Sequence, residues 1–216
     1  MIGKPRLHHR SIGSTNLRAR ELADAGAPHG TLVTASEQTA GRGRQGRTWV
    51  TPPGTAIAAS LILREFDELL PLRAGLAVAD LAGPGARVKW PNDVLLDGRK
   101  VAGILAEARA PAWAVLGIGV NVTGVPPEVE DIATALGRED VEQALAELLE
   151  ALERRLAEPA GPLLRDLRAR DALLGARIRW NGGEGTGAGI DDAGALLVDT
   201  GGETIALAAG EVHLLS

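Results

Sequence analysis

Polar and apolar positions divide the chain into short, well-bounded elements. The segment STNLRARELADA, residues 14–25, opens on residues that favour a helix N-cap and continues with helix formers up to Gly26, predicting one helix from cap to stop. TLVTA at 31–35 predicts a short strand. TAIAASLIL at 55–63 is a continuous apolar run behind Pro52, Pro53 and Gly54, the pattern of a strand buried on both faces. Helical spacing returns over 69–81. RVKW and DVLLDGRKVAGILAEAR follow, and Asp97-Gly98 is the dipeptide most typical of a two-residue hairpin, so two antiparallel strands are predicted around it. AWAVLGIGVNV at 112–122 is a further apolar strand, in which Gly117 and Gly119 allow close approach of a backbone or a ligand. An alanine- and leucine-rich helix with charges on its outer face is predicted over 139–157, and a shorter helix over 162–170, after Pro159.

From Leu174 the texture changes to short apolar runs separated by glycine-rich turns, typical of a small β-barrel. The expected organisation is therefore a domain over 1–171 and a small β-domain over 172–216. No repeat of solenoid period is present.

Composition narrows the class. With 216 residues, 45% of them hydrophobic, the chain can bury one substantial core and support a small second domain. Aromatic residues make up only 2% and tyrosine is absent, so Leu, Val, Ile and Ala must build that core, and each of the four tryptophans invites a reason. A net charge of −5 argues against a surface devoted to nucleic acid while leaving room for one local basic site. The absence of cysteine excludes disulfides, thiolate catalysis and cysteine-bound metals. No segment approaches the roughly 20 apolar residues of a membrane span, and the N-terminus lacks a signal-peptide core, so a soluble cytoplasmic protein without membrane partners is expected.

Polar residues concentrate where three strands end: EQTAGRGRQGRTW, KWPNDVLLDGRKVAG and GIGVNV. In the first, glycines let amide N–H groups converge on an anion while arginines offer multi-donor contacts to phosphate or carboxylate oxygens. There is no Walker A pattern, and GRGRQG at 41–46, although it has the GxGxxG spacing, does not form the usual strand-preceded dinucleotide fingerprint with its downstream acid. From composition alone the same loop reads as a solvated linker or an arginine-glycine nucleic-acid tract, although it lies between two strongly apolar strands. Trp49 fits a core position or an aromatic face against a purine. Asn92 and Asp93 fit either a turn or the phosphate-bound magnesium of a nucleotide, since magnesium prefers oxygen ligands. Lys100 and Lys89 are either exposed strand residues or buried cations held for an anion, and Trp90 reads as core.

Taken together with GSTN at 13–16, these segments resemble biotin protein ligase, the family that attaches biotin to carboxylase carrier domains. The resemblance spans about residues 12–122, and the C-terminal part fits by position and texture. It implies an α+β fold with a mixed or antiparallel sheet flanked by helices, class II synthetase-like, and a small C-terminal SH3-like β-barrel. It also implies two-step chemistry with biotin and Mg-ATP: formation of biotinyl-5'-adenylate, then transfer to a lysine of a biotin carboxyl carrier domain. By the same resemblance Ser14, Thr15, Asn16, Gln38, Gly41, Arg42, Arg44, Lys100, Gly103 and Gly117 would bind biotin. Arg44, Arg47, Trp49, Asn92, Asp93, Lys100 and Asn121 would bind ATP and the adenylate, with Asn92 and Asp93 at the magnesium and Lys100 and Arg44 catalytic.

Only about a dozen residues precede Ser14, so no N-terminal helix-turn-helix and no operator DNA binding are expected. A sheet edge could pair two copies into a homodimer. His8 and His9, without a partner pattern, are expected to face solvent. The alternative functions are a lipoate or octanoate protein ligase, which lacks the GRGRQGRTW signature, and a non-enzymatic nucleic-acid module, disfavoured by acidic charge and scarce aromatics.

Overall fold

The apolar run behind Gly54 becomes β3 (Ala56–Leu63), in which all eight residues are buried. The computed structural model describes residues 2–215. β3 lies inside a seven-stranded sheet with β1 (Arg6–His9), β2 (Leu32–Ala35), β4 (Ala86–Lys89), β5 (Asp93–Leu96), β6 (Arg99–Arg109) and β7 (Trp113–Asn121), in the order β1-β2-β3-β7-β6-β5-β4. β1 runs parallel to β2 and every other neighbouring pair is antiparallel, so the sheet is mixed.

Both faces are covered, which is why β3 and β7 read as continuous apolar runs. α1 (Thr15–Asp24) crosses one face over β2, β3 and β7. Its Ala19 and Ala23 pack on Val33, Ile62, Trp113 and Val115. On the other face lie α2 (Leu70–Ala82) and α3 (Val141–Ala157), with α4 (Ala160–Ala169) beside α2. α2 is buried along most of its length because it is sandwiched between the sheet and α3. The charges of α3 do not all face outward, as its pattern suggested: Arg155 is buried and bonds Asp80, Glu158 and Asp166. Burial pushes the Asp80 carboxyl up, but Arg155 and Arg170 outweigh it and hold Asp80 below the usual carboxylate range.

Two local features place functional groups. Asp97 and Gly98 both have positive φ (50° and 78°), the geometry of a type I′ turn between β5 and β6. Just beyond it the pairing shifts, with Leu95 opposite Lys100 but Val94 opposite Ala102. Val101 is thus the extra residue of a β-bulge, and bulges re-aim side chains. Strict alternation from Gly103 would put Lys100 on the helix-covered face; the bulge returns it to the face of Asp93 and Gly103.

The C-terminal strands β8 (Arg177–Trp180), β9 (Gly183–Ile190), β10 (Leu196–Asp199), β11 (Thr204–Leu207) and β12 (His213–Leu214) form a five-stranded antiparallel sheet, in the order β11-β10-β9-β8-β12. This sheet stands where a small barrel was expected. Its Ile178, Ile190, Leu196 and Val198, with Val212, belong to the same buried cluster as the large sheet, so the core continues across the junction at 171–172. Trp90 also spans that junction, donating its indole N–H to the Gly194 carbonyl at 3.0 Å. The connecting residues pair with the outer edge of β4, Val88 N–H donating to Arg170 O and Ala172 N–H to Val88 O.

β1 was not expected from the sequence. It brings His8 within hydrogen-bond distance of Thr34 and Ser36, and leaves His9 half-buried with its Nε2 buried and unpartnered, so His9 does not face solvent freely.

Candidate active site

An open cavity of about 130 Å³ lies on the α1 side of the large sheet. Its lining gathers the site residues expected from the sequence, except Gly41 and Asn121. The three polar segments are adjacent for simple reasons of topology. β6 and β7 are neighbours, β5 is hairpin-linked to β6, and the loop between β2 and β3 folds over all three.

One end of the cavity is uncharged and tightly hydrogen-bonded. Ser14, Thr15 and Asn16, at the start of α1, are all buried. Ser14 sits at the N-cap position in an extended conformation, yet its hydroxyl makes no cap bond. Gln38 does part of that work from a distant segment: its Oε1 accepts from the Thr15 backbone N–H at 2.8 Å and from the Thr15 hydroxyl at 3.0 Å. Ser60 of β3 bonds Thr15 Oγ1 at 2.9 Å and Asn16 Oδ1 at 2.6 Å. The Ser14 hydroxyl is buried without a hydrogen-bond partner in the protein. A buried hydroxyl left unmatched costs free energy unless a ligand or water meets it.

The other end is cationic. Five basic side chains, Arg42, Arg44, Arg47, Lys89 and Lys100, line the cavity against two carboxylates, Asp93 and Glu211. Lys100 Nζ lies 2.6 Å from Asp93 Oδ1, and Lys89 Nζ lies 3.7 Å from Asp93 Oδ2. Burial drives the Lys89 ammonium below the ordinary lysine pKa; Asp93 opposes this, while Lys100 and Arg47 add to it. Arg44 donates to Asn92 Oδ1 at 3.0 Å and to the Gly210 carbonyl at 2.9 Å. Arg47 pairs with Glu211.

The arginine loop is a small hairpin rather than a featureless linker. Arg42 pairs with Thr48 across it, Trp49 N–H donates to Gly41 O, and the tip turns through Gln45 and Gly46 at positive φ. Gly41 lies behind the cavity wall, where a Cβ would run into the Trp49 carbonyl. Trp49 is half-buried and rests on the sheet where it has no side chains: a Cβ on Gly119 would come within 2.6 Å of the indole, and one on Gly103 within 3.3 Å. Lys100 Nζ stands 5.8 Å from the ring centroid, within cation–π range. The indole N–H is buried and unpartnered. On the same strand Gly117 makes room for Asn16, whose Oδ1 occupies the position a Cβ would take.

Asn121 falls outside the cavity. It is buried, and its side-chain amide donates to Thr134 O at 3.0 Å, fastening the segment that follows β7. Asn92 lies in the turn between β4 and β5 and Asp93 opens β5, and both line the cavity. Among the described residues no group of three or more His, Asp or Glu side chains could hold a metal. No helix among them is long and apolar enough to cross a membrane.

Gly119, noted in the sequence with Gly117 as a place of close approach, lines the cavity as expected. Other groups were missed. Ser60, behind the lining, carried a signal as the one polar residue inside an apolar strand. Glu211 and Val212 carried none, because they come from the C-terminal β-region, whose placement over the loop is tertiary.

The family model for the biotin/lipoate A/B protein ligases matches residues 9–121, which hold nearly all of the cavity lining. The chain belongs to that ligase family. A biotin--[acetyl-CoA-carboxylase] ligase of Mycobacterium tuberculosis is 41% identical over 230 aligned positions, covering 94% of this chain and 86% of the relative. One from Paracoccus denitrificans is 38% identical, covering 86% and 90%. Among solved structures, the biotin protein ligase from Aquifex aeolicus in complex with biotin and ATP superposes with a TM-score of 0.85 at 26% identity, covering 98% and 99% of the two chains.

Proposed function

We propose that this ligase activates biotin with ATP and transfers it to a lysine of a biotin carrier domain. The observation that supports this most strongly is the two-ended cavity: a neutral hydrogen-bonding pocket carrying an unpartnered Ser14 hydroxyl meets a cluster of five cations. A ureido ring suits the first end, because it offers one carbonyl acceptor and two N–H donors to Ser14, Thr15, Asn16 and Gln38. A carboxylate and a triphosphate suit the second.

In the first step the biotin carboxylate oxygen attacks the α-phosphorus and pyrophosphate leaves, giving the mixed anhydride biotinyl-5'-adenylate. In the second, the carrier lysine amine attacks the biotinyl carbonyl carbon, loses a proton, and AMP leaves with the anhydride oxygen. Neither step needs a covalent bond to the enzyme; both need opposed anions held together and water kept out. Lys100, beside Asp93 and over the Trp49 ring, neutralises charge on the transferring phosphoryl group. Arg42, Arg44 and Arg47 bring the loop's charge over the carboxylate and phosphates, and Trp49 covers the adenine. Lys89 adds a further cation for the leaving pyrophosphate. Magnesium enters as part of Mg-ATP. Asp93 already faces two lysines and Asn92 accepts from Arg44, so these residues offer the ion one carboxylate oxygen at most, consistent with a metal that keeps waters and phosphates in its shell.

We assign residues 1–171 to the catalytic unit and 172–216 to a second unit that completes it through Glu211 and Val212. The acceptor is a carboxylase carrier domain, and consumption of ATP fits action in the cytoplasm. Biotin is preferred over lipoate or octanoate because the end opposite the cations is a hydrogen-bonding pocket rather than an apolar slot.

The test is biotin-dependent pyrophosphate release by the wild type and by Lys100→Ala. Removal of a positioned donor to a developing charge costs on the order of a hundredfold or more in rate. A variant that keeps the wild-type rate would remove Lys100 from the mechanism.

A further inference from the structure

Behind the neutral end of the cavity, outside its lining, stands a carboxylate that the proposed chemistry does not use. Glu107 lies near the end of β6, and alternation places it on the same face as Gly103 and Leu105, both of which line the cavity. Its side chain is about four-fifths buried and three donors converge on it. Asn16 Nδ2 donates to Oε2 at 3.0 Å, Arg20 Nη1 donates to Oε1 at 3.1 Å, and Arg42 Nη1 lies 3.7 Å from Oε1. These donors come from α1 and from the arginine loop, so one carboxylate ties together three separate parts of the site.

We infer that Glu107 is a positioning residue for the neutral half of the site, fixing the orientation of the Asn16 amide and anchoring the arginine loop through Arg42. The inference rests on the ligase reading above. The physical argument is one of hydrogen-bond polarity. An ionised carboxylate only accepts, so the amide group of Asn16 that faces Glu107 must be its NH₂. The Leu105 carbonyl, 3.4 Å from the same nitrogen, imposes the same orientation. Asn16 therefore turns its carbonyl oxygen toward Ser60 and Gly117. Ser60 then gives its single proton to Asn16, so its oxygen can only accept from the Thr15 hydroxyl, which is shared between Ser60 Oγ and Gln38 Oε1, while the Thr15 backbone N–H points at Gln38 Oε1. Gln38 is left to present its NH₂ group as a donor. Without Glu107 only the long 3.4 Å contact to the Leu105 carbonyl holds the Asn16 amide, so the amide is freer to flip and the Ser60 hydroxyl loses its fixed acceptor, while Gln38 stays oriented by the Thr15 backbone N–H.

A pair of substitutions tests this through polarity rather than size. Asn16→Asp would set two carboxylates against each other; adding Glu107→Gln restores one donor and one acceptor. The readouts are KM for biotin, KM for ATP and kcat in biotin-dependent pyrophosphate exchange, with thermal melting measured alongside. Asn16→Asp is expected to raise KM for biotin at least tenfold, and the double variant to recover most of that loss. Glu107→Gln alone keeps an acceptor for Asn16 and should raise KM for biotin only a few-fold, while Glu107→Ala raises it on the order of tenfold, with a smaller rise in KM for ATP through the loosened loop and a modest fall in melting temperature. The inference is overturned if the double variant is no better than Asn16→Asp, or if Glu107→Ala leaves KM for biotin at the wild-type value. It is equally overturned if every parameter falls together with the melting temperature and Glu107→Gln restores none of them. Absence of biotin-dependent exchange in the wild type would instead overturn the ligase reading, whatever the variants do.

Discussion

The Ser14 hydroxyl is buried, lines the cavity, and has no partner within the protein. Its removal should therefore cost no folding free energy, because no hydrogen bond of the empty protein is lost. Ser14→Ala is predicted to melt at or slightly above the wild-type temperature while raising KM for biotin roughly tenfold, the worth of one buried hydrogen bond at the upper end of its range. A fall in melting temperature with unchanged KM would mean that the hydroxyl serves the fold. Lys89 makes a pH prediction. Its pKa is held below the ordinary 10.5, chiefly by burial, so its charge is lost as pH rises through that lowered value. kcat/KM for ATP should fall along that alkaline limb, and Lys89→Arg, charged throughout, should move the limb to higher pH. Coincident limbs for the two proteins would exclude Lys89 from phosphate binding. Residue types at this scale were largely readable from the sequence, since arginines and lysines grouped with glycines have few uses in an apolar strand context. The facing of Lys100 was not: it depends on a bulge at Val101, which leaves no mark in a two-residue periodicity.

Among the elements, the arginine loop is the one expected to move. Folded as a hairpin, it has Trp49 on the glycine floor and Arg44 and Arg47 held by Asn92, Gly210 and Glu211. Substrate anions compete with those partners for the same guanidinium groups, so the loop's contacts are expected to re-form when substrates bind. Trypsin, which cuts after arginine, should nick the free protein at Arg42, Arg44 or Arg47 and do so much more slowly with biotin and ATP bound; equal rates in both states would show a loop indifferent to ligand. The helices and the long strands were readable because their apolar periods run for eight residues or more. β1 was not, since Arg-Leu-His-His is four residues long, lacks β-branched side chains, and is held on the sheet edge by parallel pairing with β2 and by side-chain bonds to distant residues. Ser14 stands at the N-cap of α1 as its sequence suggested, but its hydroxyl makes no cap bond, and Gln38, far along the chain, takes the neighbouring Thr15 N–H, a contact with no local signature.

On the scale of the whole molecule, two sheets share one core and one cavity. Ile178, Leu196, Val198 and Val212 pack into the same cluster as Leu61, Leu116 and Val120, and Glu211 reaches over the arginine loop. The change in texture near residue 172 was visible in the sequence, but the joint was not, because contacts such as Trp90 to Gly194 have no local signature. The chain as a whole is acidic while its cavity is cationic, which concentrates anionic substrates at one place on a surface that otherwise repels them. The central claim is that this cavity joins biotin to the α-phosphate of ATP. It is tested most directly by exchange of radiolabelled pyrophosphate into ATP, run with the purified protein and magnesium, with biotin or with lipoate as the only acid. Exchange that requires biotin and is absent with lipoate is the predicted result; no exchange with biotin, or equal exchange with lipoate, would contradict the account.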